Sequence, residues 1–376
     1  MFMKKNISCF LLLMMIIVNC IGCKNNSISK QAINNEIVAK SIKESGICNV
    51  SIDLKVELLG VVQYLADDPN ILKEIKNNSG VEKYSEDISN YFLKYKDEPV
   101  VDFYKQMREL NYSYDRPPMT MMYVDDNLKL LNNVTLPDYI INSAGGKEQI
   151  VKLLDLLTDF RKKTKFDEFY NNHTDYYSSI VSKVKNRVDK IGCVEKLIKY
   201  YGYKENSYNI IIQPLSIGGY AGCVPTKDGI SDVYDFMVVP EDDEEFSNLL
   251  IHEFGHSYIN PLTEKNINEI YKYANLYLPI KESMNKQAYG NLSECVNEHI
   301  VRAVTYRILY DLYGANVSRS YINLDESNSF IYIKPLSERL EEYENNRNAY
   351  STINEFYPRI LNELKELSDK EANKPK

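Results

Sequence analysis

"NLLIHEFGHSYINP", Asn248 to Pro261, holds two of the four histidines in the chain. They stand four residues apart, with Glu253 directly after the first. On an α-helix, residues at i and i+4 project from one face, so His252 and His256 can present two imidazoles to one point. Glu253 is rotated about 100° from His252 by the helix period. It can reach a water bound at that point without joining the ligands. A zinc hydrolase needs this division of labour: two neutral imidazoles hold Zn²⁺, the metal acidifies its water, and a carboxylate removes the proton. Phe246, Leu250 and Phe254 form an i, i+4, i+8 apolar stripe opposite the histidines, which predicts the face that packs on the core. Gly255 is expected to admit a neighbouring backbone. Ser257 and Tyr258 are expected to end the helix, with Asn260 and Pro261 as the stop signal.

A catalytic zinc usually takes three protein ligands and leaves one position for water. A third histidine of the metzincin kind would lie six residues after His256, with a glycine three after it. Ile259 and Leu262 occupy those positions, so that arrangement is excluded. The other source is a glutamate on a later helix, and "NLSECVNEHIVRAV" (291–304) supplies one. Glu294, Glu298 and Arg302 share one face, and Leu292, Val296, Ile300 and Ala303 the other. Two assignments compete. In the favoured one Glu298 ligates and Arg302, one turn on, orients it. In the other Glu294 ligates and Glu298 bonds an imidazole N–H. His299 points about 100° away from Glu298 and is either a substrate contact or a bystander.

Composition excludes some alternatives. The 376 residues carry a net charge of -8, with a pI near 5.3, which argues against a nucleic-acid partner. The start, "MFMKKNISCFLLLMMIIVNCIGC", has Lys4 and Lys5, an apolar run from Cys9 to Val18 and small residues near Gly22. That is the layout of a secretory signal. Gly22–Cys23 matches the end of a lipoprotein signal, with Cys23 lipidated, although Cys20 stands where an aliphatic residue is usual. The expectation is an exported protein, anchored by lipid to the outer face of a bacterial membrane or else secreted. Cys48, Cys193, Cys223 and Cys295 show no metal-ligand spacing, and buried thiols are favoured over disulfides.

The chain divides by pattern into a signal (1–22), a polar tether (23–45), a mainly helical region (46–205) and a catalytic region (206–376). "VSIDLKVELLGVVQYLA" opens with a short strand and continues as a helix. Later helices follow Pro99 and span "GGKEQIVKLLDLLTDFRKK" and "FDEFYNNHTDYYSSIVSKVKNRVDKI". The second of these holds His173, read as structural. Near residue 207 the composition turns β-branched and then glycine-rich. "YNIIIQPLSIGGYAGCVP" and "DVYDFMVVP" are strand-like, with Thr226–Gly229 between them as a hairpin loop. "SFIYIKP" (329–335) reads as a short strand or extended piece. The fold class expected is α+β and mostly helical: a zincin-like catalytic domain with a small sheet packed on the HExxH helix.

Together "LLIHEFGHSYINP", "NEHIVRAV" and "SIDLKVELLGVVQYLA" resemble the DUF4932 family of exported bacterial proteins, a gluzincin-like group, over roughly residues 50–315. The resemblance implies His252 and His256 as zinc ligands, Glu298 as the third and Glu253 as the catalytic carboxylate. The family says little about substrate; in zincins generally an edge strand pairs with an extended peptide substrate, and "IIIQPLSIGGYAG" or "DVYDFMVVP" is the expected source of that strand for a peptide or protein substrate. Tyr220 and Tyr289 are candidate donors to the developing oxyanion. Two other functions compete with a peptidase: a non-catalytic, metal-containing binding lipoprotein, and a zinc hydrolase of cell-wall amides.

Overall fold

The computed structural model describes residues 39–71, 81–216 and 218–374. Most of these are helical, and the helices surround one mixed sheet of five strands. The strands are β1 (Ile42–Glu44), β2 (Asn49–Ile52), β3 (Ser207–Ile212), β4 (Gly219–Pro225) and β5 (Ser231–Met237), in the order β1-β2-β3-β5-β4. The expected α+β class is present. β2, β3 and β5 run parallel, and β1 and β4 close the edges antiparallel. In β3 every residue from Tyr208 to Ile212 is buried, as a strand covered on both faces requires. β4 and β5 form the expected hairpin across Thr226–Gly229, where Gly229 takes a positive φ of 78°.

The helices that follow β2 begin where the sequence signals them. Asp53 caps Leu54–Leu65 through Lys55 N (2.9 Å) and Val56 N (3.1 Å). Pro99 stands at the first position of Pro99–Glu109. All the helices between residues 54 and 201 lie in the crossover from β2 to its parallel neighbour β3. Residues 46–205 and 206–376 therefore contribute strands to one sheet. The tether ends earlier than its composition indicates: Ile42–Glu44 pair with β2, and Ala39 N donates to Asp167 Oδ2 (2.9 Å). Cys23 and the signal lie outside the described residues. His173 separates helices Phe166–Asn172 and Thr174–Ile191, with Nδ1 on Phe169 O (2.8 Å) and Nε2 facing Asp87 (3.3 Å). The cysteines Cys48, Cys193, Cys223 and Cys295 are free thiols.

The motif helix is Asp243–Lys265. Asp242 caps it through Glu244 N and Glu245 N (both 2.9 Å), and three acidic residues fill its first turn, where the helix dipole favours them. Phe246, Leu250 and Phe254 are buried as the stripe predicts. The helix lies between β4–β5 and helix Leu292–Tyr313. Its end corrects the sequence reading, since it runs through Pro261 for four more residues. The proline forfeits one backbone bond. Burial of Thr263, whose hydroxyl meets Tyr357 Oη (2.9 Å), holds the last turn in place. Gly255 is approached by side chains and not by a backbone: a Cβ there would lie 3.0 Å from Tyr201 Oη and 3.2 Å from Val301 Cγ1. Residues 329–332 form a turn that leads into helix Ile333–Asn345, so the expected strand is absent there. Ile333, Leu336, Leu340 and Tyr343 are buried at helical spacing, and Pro335 is tolerated in the first turn.

Candidate metal centre

His252 and His256 project from the third and fourth turns of the motif helix toward helix Leu292–Tyr313, and Glu298 of that helix meets them. His252 Nε2 and His256 Nε2 are 3.2 Å apart. Glu298 Oε2 is 3.6 Å from His252 Nε2, and its Oε1 is 3.3 Å from His256 Nε2. Three ligands about 2.0–2.2 Å from one tetrahedral ion stand roughly 3.3–3.6 Å from each other. The spacings are of the size found around one cation, with the two Glu298 oxygens facing different imidazoles, and one donor atom from each residue lies within 4.8 Å of the others. Burial, then the neighbouring His256, hold the His252 imidazole well below its usual range, in the neutral form a metal needs. His256 Nδ1 faces Asn260 Oδ1 at 3.1 Å, a bond that directs the Nε2 lone pair inward.

Glu298 is braced. Arg302 Nε donates to its Oε2 (3.2 Å), and the same guanidinium grips both oxygens of Asp325 (3.2 and 3.0 Å). Tyr306 donates to Asp325 as well. Tyr289 touches the same group: its hydroxyl accepts from Arg302 (3.4 Å). Burial, then Glu298, push the Tyr289 phenol up to about 12, so it keeps its proton.

Glu294 is elsewhere. It is the third residue of its helix, where its N–H bonds the capping Asn291 (3.0 Å) and its Oε2 accepts from Gly290 N (2.8 Å). That reciprocal cap was available in the sequence as Asn291-x-x-Glu294. His299 is buried in the core against Phe330 and Tyr332, with Nδ1 on Cys295 O (2.7 Å). Tyr220 gives its only proton to Gln213 Oε1 (2.6 Å), which leaves none for an oxyanion.

Glu253 lies outside the three-residue donor cluster, near the Ala221 amide of β4. Burial, with Glu298 adding to it, pushes its carboxyl up to about 7. Two neighbours escape the motif reading. Asp235 on β5 is fully buried with neither oxygen hydrogen-bonded. Burial, then the charge of Glu253, raise its carboxyl well above the usual range. Its signal is period-two alternation: Val233, Asp235 and Met237 share a face, which puts a carboxylate among apolar neighbours. The second is Tyr114, which donates to Gly219 O on β4 (3.1 Å). Burial, then Glu253, push its phenol up to about 12. Nothing local singles it out among 31 tyrosines.

These elements define a mostly helical α+β protein with a His-His-Glu cluster between two helices. The chain belongs to the family described as Domain of unknown function (DUF4932), which matches residues 48–363. No curated protein and no solved structure matches it.

Proposed function

We propose that the protein is a zinc-dependent peptidase of the gluzincin type, with His252, His256 and Glu298 as ligands and Glu253 as the proton carrier. The observation that carries this reading is the convergence of donor atoms from His252, His256 and Glu298 within 4.8 Å of one another, beside a carboxylate outside that set. Bound zinc would supply a Lewis acid able to acidify a water and polarise a carbonyl. Glu253, raised toward neutrality, suits taking a proton from the attacking water and returning it to the leaving amine. Arg302 and Asp325 hold Glu298 in place, and Asn260 orients His256.

The layout of Lys4 to Cys23 supports export and lipid attachment at Cys23, which would place the site at the outer cell surface. No helix among the described residues is long and apolar enough to cross a membrane.

The test pairs metal content with hydrolysis. Purified protein should hold about one zinc per chain, and Glu298→Ala should lose it. Wild type should cleave peptides from a mixed library, and Glu253→Ala should not. Equal cleavage by both proteins would remove Glu253 from the mechanism. Zinc retained without hydrolysis of any peptide or cell-wall fragment would favour a binding role.

A further inference from the structure

Near Glu253 runs β4, one of the two edge strands of the sheet. β4 pairs with β5 on one side only. Alternate residues of an edge strand aim N–H and C=O groups outward, where an extended peptide could add as a sixth strand. On β4 the outward-facing residues are Gly219, Ala221 and Cys223, and the outward carbonyls of the first and last are engaged: Tyr114 donates to Gly219 O (3.1 Å) and Tyr123 donates to Cys223 O (3.1 Å). Both tyrosines come from the segment between helix Pro99–Glu109 and residue 124, which straps across β4. Met119, from the short helix Arg116–Met121 in that strap, leaves no room for a Cβ at Gly222.

The two closures differ in kind. Tyr123 is 1% exposed, and Met119 beside it is fully buried. That end is part of the core. Tyr114 is 45% exposed and sits at a φ of 59°, a left-handed conformation that a bulky residue adopts under strain. It leans on the Tyr220 ring (centroids 4.8 Å apart) and can leave without opening the core.

We propose that this site takes short peptides or chain ends, because β4 offers an extended substrate only the stretch from Gly219 to Ala221. The strand is permanently shut at Cys223 by Tyr123 and reversibly shut at Gly219 by Tyr114. Two residues of the edge span about 7 Å, which holds two or three substrate residues. A longer chain lying past Ala221 meets Tyr123. Tyr114 must swing away before a substrate pairs, and relief of its backbone strain assists the exchange.

This rests on the peptidase reading, and the experiment separates the two. With intact zinc-loaded protein, a bond found to be cleaved in a peptide mixture is placed in synthetic peptides of increasing length, extended on one side and then the other. Extension on one side beyond about three residues should lower kcat/KM by about a hundredfold, the usual effect of shifting a bond off its reacting position. Tyr114→Phe should lower KM for tetrapeptides by about two- to tenfold, the worth of one hydrogen bond between neutral groups. Equal kcat/KM for a long unstructured peptide and a tetrapeptide, with Glu253 still required, overturns the length limit and leaves the peptidase reading intact. A fall in kcat for Tyr114→Phe at unchanged KM overturns the gate, because the phenol would then act in the transition state. Failure to cleave peptides of any length overturns both readings.

Discussion

Glu253→Gln in metal-free protein should make the fold more stable while removing its chemistry. The side chain sits beside Glu298 and near the unpaired Asp235, and its carboxyl is raised from the ordinary 4.5 to about 7. The folded state therefore holds a proton that the unfolded chain releases above 4.5. The stability this contributes is fully present below 4.5 and is lost as pH rises through 7. At ~1.4 kcal/mol per pH unit the loss reaches about 3 kcal/mol. Glu253 keeps some solvent contact, which trims this to about 2 kcal/mol. Glutamine keeps the shape of the side chain but carries no charge. Urea unfolding of both proteins in chelator should give equal stabilities at pH 4.5. A gap of about 2 kcal/mol in favour of Glu253→Gln should open by pH 8. A gap that does not change between pH 4.5 and 8 would refute the reasoning, because it would show the stability difference to be steric and not one of buried charge.

Three other perturbations test separate parts. Asp325→Asn weakens the grip on Arg302 and should lower zinc affinity about 10- to 100-fold, read by competition with a chromophoric chelator. Glu294→Ala should keep zinc in elemental analysis and destabilise the fold by about 1 kcal/mol as a lost helix cap, and loss of the metal would instead make Glu294 a ligand. Gly222→Ala forces a Cβ into Met119 and should destabilise by about 1–3 kcal/mol in urea unfolding.

The site was legible in the sequence wherever one helix carries the information. Spacings of three and four residues place His252, His256, Phe246, Leu250 and Phe254 on the faces they occupy, and the same rule brings Glu298 and Arg302 together. What one helix cannot report is contact across elements. Asp325 and Tyr289 reach Arg302 from separate segments, and Tyr114 arrives at β4 from a turn 105 residues earlier in the chain. Two local rules also lost to packing. Pro261 did not stop its helix, because Thr263 is buried beyond it. The apolar run at Phe330–Ile333 reads as a strand only if its continuation to Leu336 and Leu340 is ignored. Asp235 was readable from alternation alone, because a carboxylate on a buried strand face is a costly placement that function explains better than stability does.

The parallel pairing of β2 with β3 joins Asn49 to Asn209, whose side chains bond at 2.8 Å across 160 residues of chain. Contacts that distant close late, after a large loss of loop entropy. The β1–β2 hairpin closes over a short loop, whereas the pairing of β2 with β3 closes over the whole helical excursion between them. Residues 206–376 contain every proposed ligand, but as a fragment they would present β3 with a bare edge in the middle of its own sheet. The metal-binding half is therefore not a detachable module, and truncation at residue 205 should yield an aggregating chain and not a smaller enzyme.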